Sequence, residues 1–319
     1  MFEKLKSIIE EHNSIVIFGH KDPDGDCYGS QIALREIIKL NYPEKKVYAV
    51  GSGLRRFHAY IGRMDNIDDV VIDHSLAVLV DGNDLYRMED QRVWNAKSFI
   101  KIDHHVENGR FTQGEFVVRE NANSTCQLIT QMAIESGWKI NPNIADALYL
   151  GIMTDTGRFQ YIEDFPTSFK EVAWLCEQGA QPREINTILN RSNENSLAFK
   201  AYVYSHYQKS EKGALYLVLD KKTLAKYRLT ASQGSNMVNL LANINGYPVW
   251  VFFAETENGF AHIEFRSNGP LVQPVAKKIG GGGHMHASGV TVPEFNDRMI
   301  KEVIDLVDEA IVEYQKEQQ

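Results

Sequence analysis

The sequence predicts an α/β protein, with an N-terminal doubly wound parallel sheet followed by a smaller C-terminal α/β domain. Three observations predict it. Short apolar runs at residues 15–18, 46–50, 76–80 and 98–102 alternate with segments of helical periodicity, as in a parallel sheet with crossover helices. Three of these runs lead directly into Asp or His residues: His20 to Asp26, Asp81-Gly82-Asn83-Asp84, and Asp103-His104-His105. Ligands bind at the carboxyl edge of open α/β sheets, so these clusters can converge although about 80 residues separate the first from the last. Composition then shifts near residue 210, which divides the chain into residues 1–190, a connecting helix or linker at 191–210, and residues 211–319.

Taken in order, residues 1–13 read as an amphipathic helix with Phe2, Leu5, Ile8 and Ile9 on one side, too charged for a secretory signal. The continuous apolar run at 15–18 predicts a strand buried on both faces, and Pro23 and Gly25 predict a tight loop after it. A helix is expected at 29–40, with Ile32, Ala33, Ile37, Ile38 and Leu40 facing the sheet. Ser124 as N-cap and Gly137 as stop bound a helix between them. Asn141 and Pro142 open another, which runs through Met153 into Asp155. Helical register continues at 168–178, 182–190 and 196–208.

Beyond residue 210, a strand at 214–219 and a helix at 232–243 precede strands at 248–255 and 260–266, joined across Asn258-Gly259. Ile263 and Phe265 fall on one face of that last strand; His262, Glu264 and Arg266 fall on the other. A short helix at 271–279 leads into Gly280-Gly281-Gly282-Gly283-His284, then a strand at 290–292 and a helix at 294–314.

With 319 residues, 43% hydrophobic and 24% charged, the chain has the composition of an ordinary globular protein. A net charge of −8 argues against a surface that coats long nucleic acid, which needs a basic footprint, but it leaves room for a small phosphate substrate. No apolar run approaches the length of a membrane span. Cys27, Cys126 and Cys176 show no paired spacing and read as small buried hydrophobes in a reducing, cytoplasmic setting. No membrane partner is expected, and a homodimer is left open.

The crowded carboxylates demand cations. A calcium EF-hand loop starting at Asp22 fails, because its sixth position is Cys27 and its twelfth Ala33. Asp24, Asp26, Asp81 and Asp155 with His20 and His104 supply enough ligands for two divalent ions. Imidazole and carboxylate without thiolate suit Mn²⁺, Mg²⁺, Co²⁺ or Fe²⁺ better than structural zinc. The glycine run lacks the Gly-Lys-Ser/Thr ending of a P-loop; it predicts a backbone nest that receives a phosphate or nucleotide. Arg266 is a second phosphate candidate, since a guanidinium grips phosphate bidentately.

These residues match a family. His20-x-x-x-Asp24-Gly25-Asp26-x-x-Gly29-Ser30, then Asp81, Asp103-His104-His105 and Asp155-Thr156-Gly157, resemble the four motifs of the DHH phosphoesterases. Gly281-Gly282-Gly283-His284-x-x-Ala287-x-Gly289 resembles the glycine-rich motif of their associated C-terminal domain. The compact length resembles the branch that hydrolyses short oligoribonucleotides and 3′-phosphoadenosine-5′-phosphate. The resemblance implies one Mn²⁺ on His20, Asp24 and Asp81, and another on Asp26, Asp81, His104 and Asp155, with Asp81 shared. It further implies that His105 contacts the scissile phosphate, that Asp103 orients the histidines, and that Arg266, Gly282, Gly283 and His284 grip the far end of the substrate. The expected activity is removal of mononucleotides from very short RNA, with 3′-phosphoadenosine-5′-phosphate as a further substrate. The alternatives are cyclic di-AMP or its linear dinucleotide product and, of another class, a non-catalytic nucleotide sensor.

Overall fold

The four apolar runs pair side by side with a fifth strand that the sequence does not announce. The computed structural model describes residues 2–82, 84–105, 114–162 and 164–318; Asn83, in the acidic turn after the third run, lies outside them. The chain divides into two units, Met1–Arg191 and Ser192–Gln319.

In the first unit, helix α1 (Phe2–Glu11) precedes β1 (Ser14–Phe18), α2 (Gly25–Asn41), β2 (Lys46–Val50), α3 (Asp69–Asp73), β3 (Leu76–Val80), β4 (Ser98–Asp103) and β5 (Glu115–Val118). Helices α4 (Thr125–Ser136), α5 (Pro142–Asp155), α6 (Phe165–Glu177) and α7 (Pro182–Asn190) complete it. The strands form a parallel sheet in the order β2-β1-β3-β4-β5. The order reverses between β1 and β3, and at such a switch point flanking loops diverge and leave a crevice for a ligand. The expected edge His20 and Asp81 follow these two strands. On one face, Ile15, Ile17, Val78, Ile100 and Ile102 pack under α2, α4 and α5. The other is closed more thinly, by α3 and two 3₁₀ turns that bring Ile72, Leu85 and Val93 onto Val16, Phe18 and Leu79.

Two local readings change. Helix α2 begins at Gly25, not at residue 29, because the Asp24 carboxylate caps it by accepting from the backbone N–H of Asp26 and Cys27. The tight loop expected around Gly25 is therefore the first turn of a helix. Cys27 and Cys126 are buried, but Cys176 is exposed, on the outer side of α6.

The second unit contains α8 (Glu194–His206), β6 (Gln208–Lys209), β7 (Ala214–Leu219), α9 (Lys221–Lys226), α10 (Ala231–Ser235), β8 (Val249–Glu255), β9 (Ala261–Ser267), α11 (Gln273–Lys278), β10 (Gly282–His284), β11 (Ala287–Val292) and α12 (Asp297–Glu317). Its six strands run β10-β11-β9-β8-β7-β6; β7 and β8 are parallel and the other pairs antiparallel. Helix α12 lays Val303, Val307 and Ile311 over Val251, Phe253, Ile263 and Phe265 on one face. On the opposite face Phe199 and Val203 of α8, from the segment expected as a connector, pack with Leu215, Leu217 and Phe252. The helix expected at 232–243 divides into α10 and a 3₁₀ turn, Val238–Leu241, as Val238 and Leu241 turn into that core. The glycine run differs from its expected form as well: Gly282–His284 is a short edge strand paired with β11. An edge strand turns one row of backbone N–H and C=O groups outward, which is a different presentation from a nest.

Candidate metal centre

The carboxyl edge of the first sheet gathers the expected ligands from four places. His20 follows β1, and its loop is tied to the segment after β3 by Lys21 N–H donating to Arg87 O at 2.7 Å and Glu89 N–H to Gly19 O at 2.9 Å. Asp81 follows β3 with a left-handed backbone (φ 56°). That conformation is costly for most residues and milder for Asp; it re-aims the side chain just where the ladder continues through Asp81 N–H to Ile102 O. Asp103 ends β4, and Asp155 is the last residue of α5.

Asp81 is almost wholly buried and its two oxygens face different partners. Oδ2 lies 3.5 Å from His20 Nε2, and Oδ1 lies 3.6 Å from His104 Nε2. His104 Nε2 is also 3.1 Å from Asp155 Oδ2 and 3.9 Å from Asp26 Oδ2. Three overlapping groups here have ligand atoms within 4.8 Å of one another: His20 with Cys27 and Asp81, Asp81 with His104 and His105, and Asp26 with His104 and Asp155. Asp24 sits at the margin. Its Oδ1 is 3.9 Å from His20 Nε2 and also caps α2.

The donor set fits a cation on two grounds. Both His20 and His104 are held through Nδ1 to a backbone carbonyl, Lys21 O at 2.9 Å and Ala122 O at 3.2 Å. Holding Nδ1 by a carbonyl sets the tautomer that presents Nε2 as a lone pair, the usual support of a metal-ligating imidazole. Among the described residues, His104 Nε2 is moreover a buried atom that makes no geometrically regular hydrogen bond, although Asp155 Oδ2 lies 3.1 Å away. Such an atom costs free energy unless something else occupies its lone pair.

Electrostatics point the same way. Burial alone would lower the His20 imidazolium, but Asp81 and Cys27 outweigh it and push His20 up to about 12. His104, also lowered by burial, is pushed up to about 10 by Asp155, Asp26 and Asp81. Asp26 is driven well above the usual carboxylate range by burial, Asp81 and Asp155. Burial would raise Asp81 too, yet the three histidines hold it below its ordinary value. Without a cation the cluster retains protons, because its carboxylates cannot all be ionised and unpaired in one buried place.

Asp103, fully buried, organises the histidine pair. Its Oδ1 accepts from the backbone N–H of His104 at 2.9 Å and of His105 at 3.2 Å, and meets His105 Nδ1 at 2.8 Å.

The sequence reading missed the support beneath Asp26. Its oxygens accept from Thr125 N–H at 2.7 Å and Cys126 N–H at 2.8 Å, at the start of the twelve-residue helix α4. A helix N-terminus favours an anion there. The signal was half present, since Ser124 announces a helix start, but nothing local says which carboxylate it receives. Thr125 Oγ1 donates to Asp81 Oδ1 at 3.3 Å. Gly151 of α5 is bare for the same reason: a Cβ there would lie 2.6 Å from Asp26 Oδ1 and overlap Cys126 Sγ.

In the second unit, strand register places His284, Ala287 and Arg266 in one row across β10, β11 and β9. Gly282, Gly289 and Glu264 form the next row on the same face. Arg266 and His284 therefore share a face; Gly283, in the alternate row with Ser288 and Phe265, belongs to the other. In the first unit, Arg158 donates from Nη2 to Asn190 Oδ1 at 2.6 Å.

A five-stranded parallel sheet with His and Asp on its carboxyl edge, joined in sequence to a mixed-sheet domain with a glycine-rich hairpin, is the plan of one family. Residues 14–152 match the model of the DHH family N-terminal domain, and residues 211–313 match the DHHA1 domain. The chain belongs to the DHH family. It is 36% identical over 93% of its length to a bifunctional oligoribonuclease and PAP phosphatase NrnA of Mycoplasma genitalium, covering 93% of that protein. It is 32% identical over 97% of its length to the NrnA of Bacillus subtilis bearing the same description, covering 99% of it. The crystal structure of an exopolyphosphatase-related protein from Bacteroides fragilis has the same fold, with a TM-score of 0.84 at 22% identity over 99% of this chain and 96% of that one. Among the described residues, no helix is long and apolar enough to cross a membrane.

Proposed function

We propose that this chain is a metal-dependent phosphoesterase that hydrolyses short oligoribonucleotides to mononucleotides and 3′-phosphoadenosine-5′-phosphate to AMP. The observation that carries the reading is the joint one: an intact His and Asp cluster in a chain 36% identical, over 93% of its length, to a protein named for both activities. His20, Asp24 and Asp81 would hold one divalent ion and Asp26, Asp81, His104 and Asp155 the other, with Mn²⁺ as the ion of choice and Mg²⁺ or Co²⁺ as substitutes. When bound, such ions supply positive charge to the phosphoryl oxygens and make water acidic enough to deliver hydroxide at neutral pH.

The protein's own contribution is placement. Asp81 divides its two oxygens between the His20 and His104 sides, while Asp26 is pinned by two backbone N–H groups of α4. Asp103 holds His105 by Nδ1, so His105 would meet the scissile phosphate through Nε2. In the second unit, Arg266 and His284 would bind a phosphate or nucleotide group of the substrate. A short substrate agrees with the net charge of −8, since few phosphate contacts are needed.

A Mn²⁺-supplemented panel tests this: a dinucleotide, a five-nucleotide RNA, 3′-phosphoadenosine-5′-phosphate, cyclic di-AMP and pyrophosphate. Turnover of the RNAs and of 3′-phosphoadenosine-5′-phosphate is expected. Preference for cyclic di-AMP would overturn the substrate assignment, and no turnover of any member would favour a nucleotide sensor.

A further inference from the structure

One charged group on the polar face of the second sheet has no part in the reading so far. Glu264 projects from β9 between His262 and Arg266, with only 14% of its side chain exposed. Its Oε2 accepts from Arg266 Nη1 at 2.8 Å, and its Oε1 lies 3.5 Å from His262 Nε2. His262 is steadied from behind by Thr291 Oγ1, 3.0 Å from Nδ1. Arg266 Nη1 also donates to Phe265 O at 2.8 Å. Among the described residues, both hydrogen bonds of the guanidinium are therefore made by a single nitrogen, and the Nε–Nη2 edge remains to receive an anion bidentately.

A carboxylate on a face that binds phosphate is at first sight a liability, because it repels the ligand. Burial would raise its pKa, but His262 and Arg266 hold it below the usual range, so the charge is kept. The space it occupies is also specific. Gly289 lies directly opposite Glu264 in the register of β11 and β9, and a Cβ built there would stand 2.9 Å from Oε1 and 3.3 Å from Cδ. Gly289 has no positive φ, so its backbone would admit alanine; the nearest atom a side chain would meet is the carboxylate oxygen, which would have to shift, with the backbone oxygen of Ile263 next at 3.3 Å.

We propose that Glu264 is a positioning residue that fixes the Arg266 guanidinium for a substrate phosphate, and that Gly289, the last glycine of the GGGHxxAxG motif, is bare in order to seat that carboxylate. The inference rests on the reading of this face as a substrate site, and the experiment separates the two. KM and kcat are measured with Mn²⁺ on 3′-phosphoadenosine-5′-phosphate and a five-nucleotide RNA for Arg266→Ala, Glu264→Ala, Glu264→Gln, Gly289→Ala and the Glu264→Ala/Gly289→Ala double variant.

Loss of a charge-assisted bond predicts a KM raised roughly 10- to 100-fold in Arg266→Ala, with kcat changed about threefold or less. Glu264→Ala should raise KM by a smaller factor, and Glu264→Gln, which keeps an acceptor, should recover most of it. Gly289→Ala should match Glu264→Ala, and the double variant should be no worse than Glu264→Ala alone, since the added methyl then meets no carboxylate. A KM that falls in Glu264→Ala, as simple relief of repulsion would give, overturns the inference. So does a double variant whose two effects multiply. An unchanged KM in Arg266→Ala would instead remove the substrate site itself, whatever Glu264 does. Should Gly289→Ala fail to fold, the Glu264 variants decide the matter alone.

Discussion

The two polar surfaces of this protein solve opposite electrostatic problems. In the first unit Asp26, Asp81 and Asp103 are buried together beside Asp155, with histidines as the available cations. The described carboxylates there outnumber any fixed positive charge, so the cluster takes up protons when no ion is bound. In the second unit the one largely buried carboxylate of the polar face, Glu264, is matched by Arg266 and His262. A surplus of buried negative charge is a demand for metal; a matched set with guanidinium donors to spare is a receptor for an anion. On the proposed reading, chemistry belongs to the first surface and affinity to the second, and perturbing each should show it.

Asp81→Asn should break the contrast most sharply. It removes charge from a carboxylate that faces both His20 and His104, and activity should fall on the order of 10³-fold or more. Circular dichroism should report an unchanged fold; substantial residual turnover would refute the shared-ligand role. Next in size is Gly151→Ala. Its methyl would overlap Cys126 Sγ and crowd Asp26, so overpacking should lower stability by about 1–3 kcal/mol and weaken Mn²⁺ binding together. Thermal melts with and without Mn²⁺ measure both.

The pH dependence of metal binding follows from the raised imidazolium values. His20 and His104 sit at about 12 and about 10 without a cation, so both are protonated at neutral pH and must lose those protons to a metal. Mn²⁺ affinity should therefore rise with pH and weaken in acid, with proton release into weakly buffered solution between about pH 6 and 8. A pH-independent affinity would contradict the ligand assignment. Arg266→Ala should have the smallest effect on the centre: Mn²⁺ affinity unchanged while KM rises.

Much of this was legible in the residues because strands, edge clusters and motif spacing are local. β2 and β3 follow their apolar runs residue for residue, and the helix between Ser124 and Gly137 is bounded by the caps its ends announce. What escaped depends on tertiary contacts. Asp24 was legible as a ligand candidate but not as the cap that starts α2 four residues early. The seat of Asp26 on α4 joins residues about a hundred positions apart, with no sequence pattern connecting them. Strand β5 is a four-residue edge strand with Phe116 partly exposed, too short for its periodicity to stand out. The glycine run reads as a nest for an anion, whereas its pairing as an edge hairpin with Ala287–Val292 is a long-range fact.

The central claim is that Asp81 joins two divalent ions in one centre. The most direct measurement is Mn²⁺ bound per chain, by equilibrium dialysis with metal analysis, accompanied by electron paramagnetic resonance. The account predicts two ions whose spectrum shows magnetic coupling, and loss of that coupling in Asp81→Asn. A single uncoupled Mn²⁺ in the wild-type protein, fully active, would contradict it.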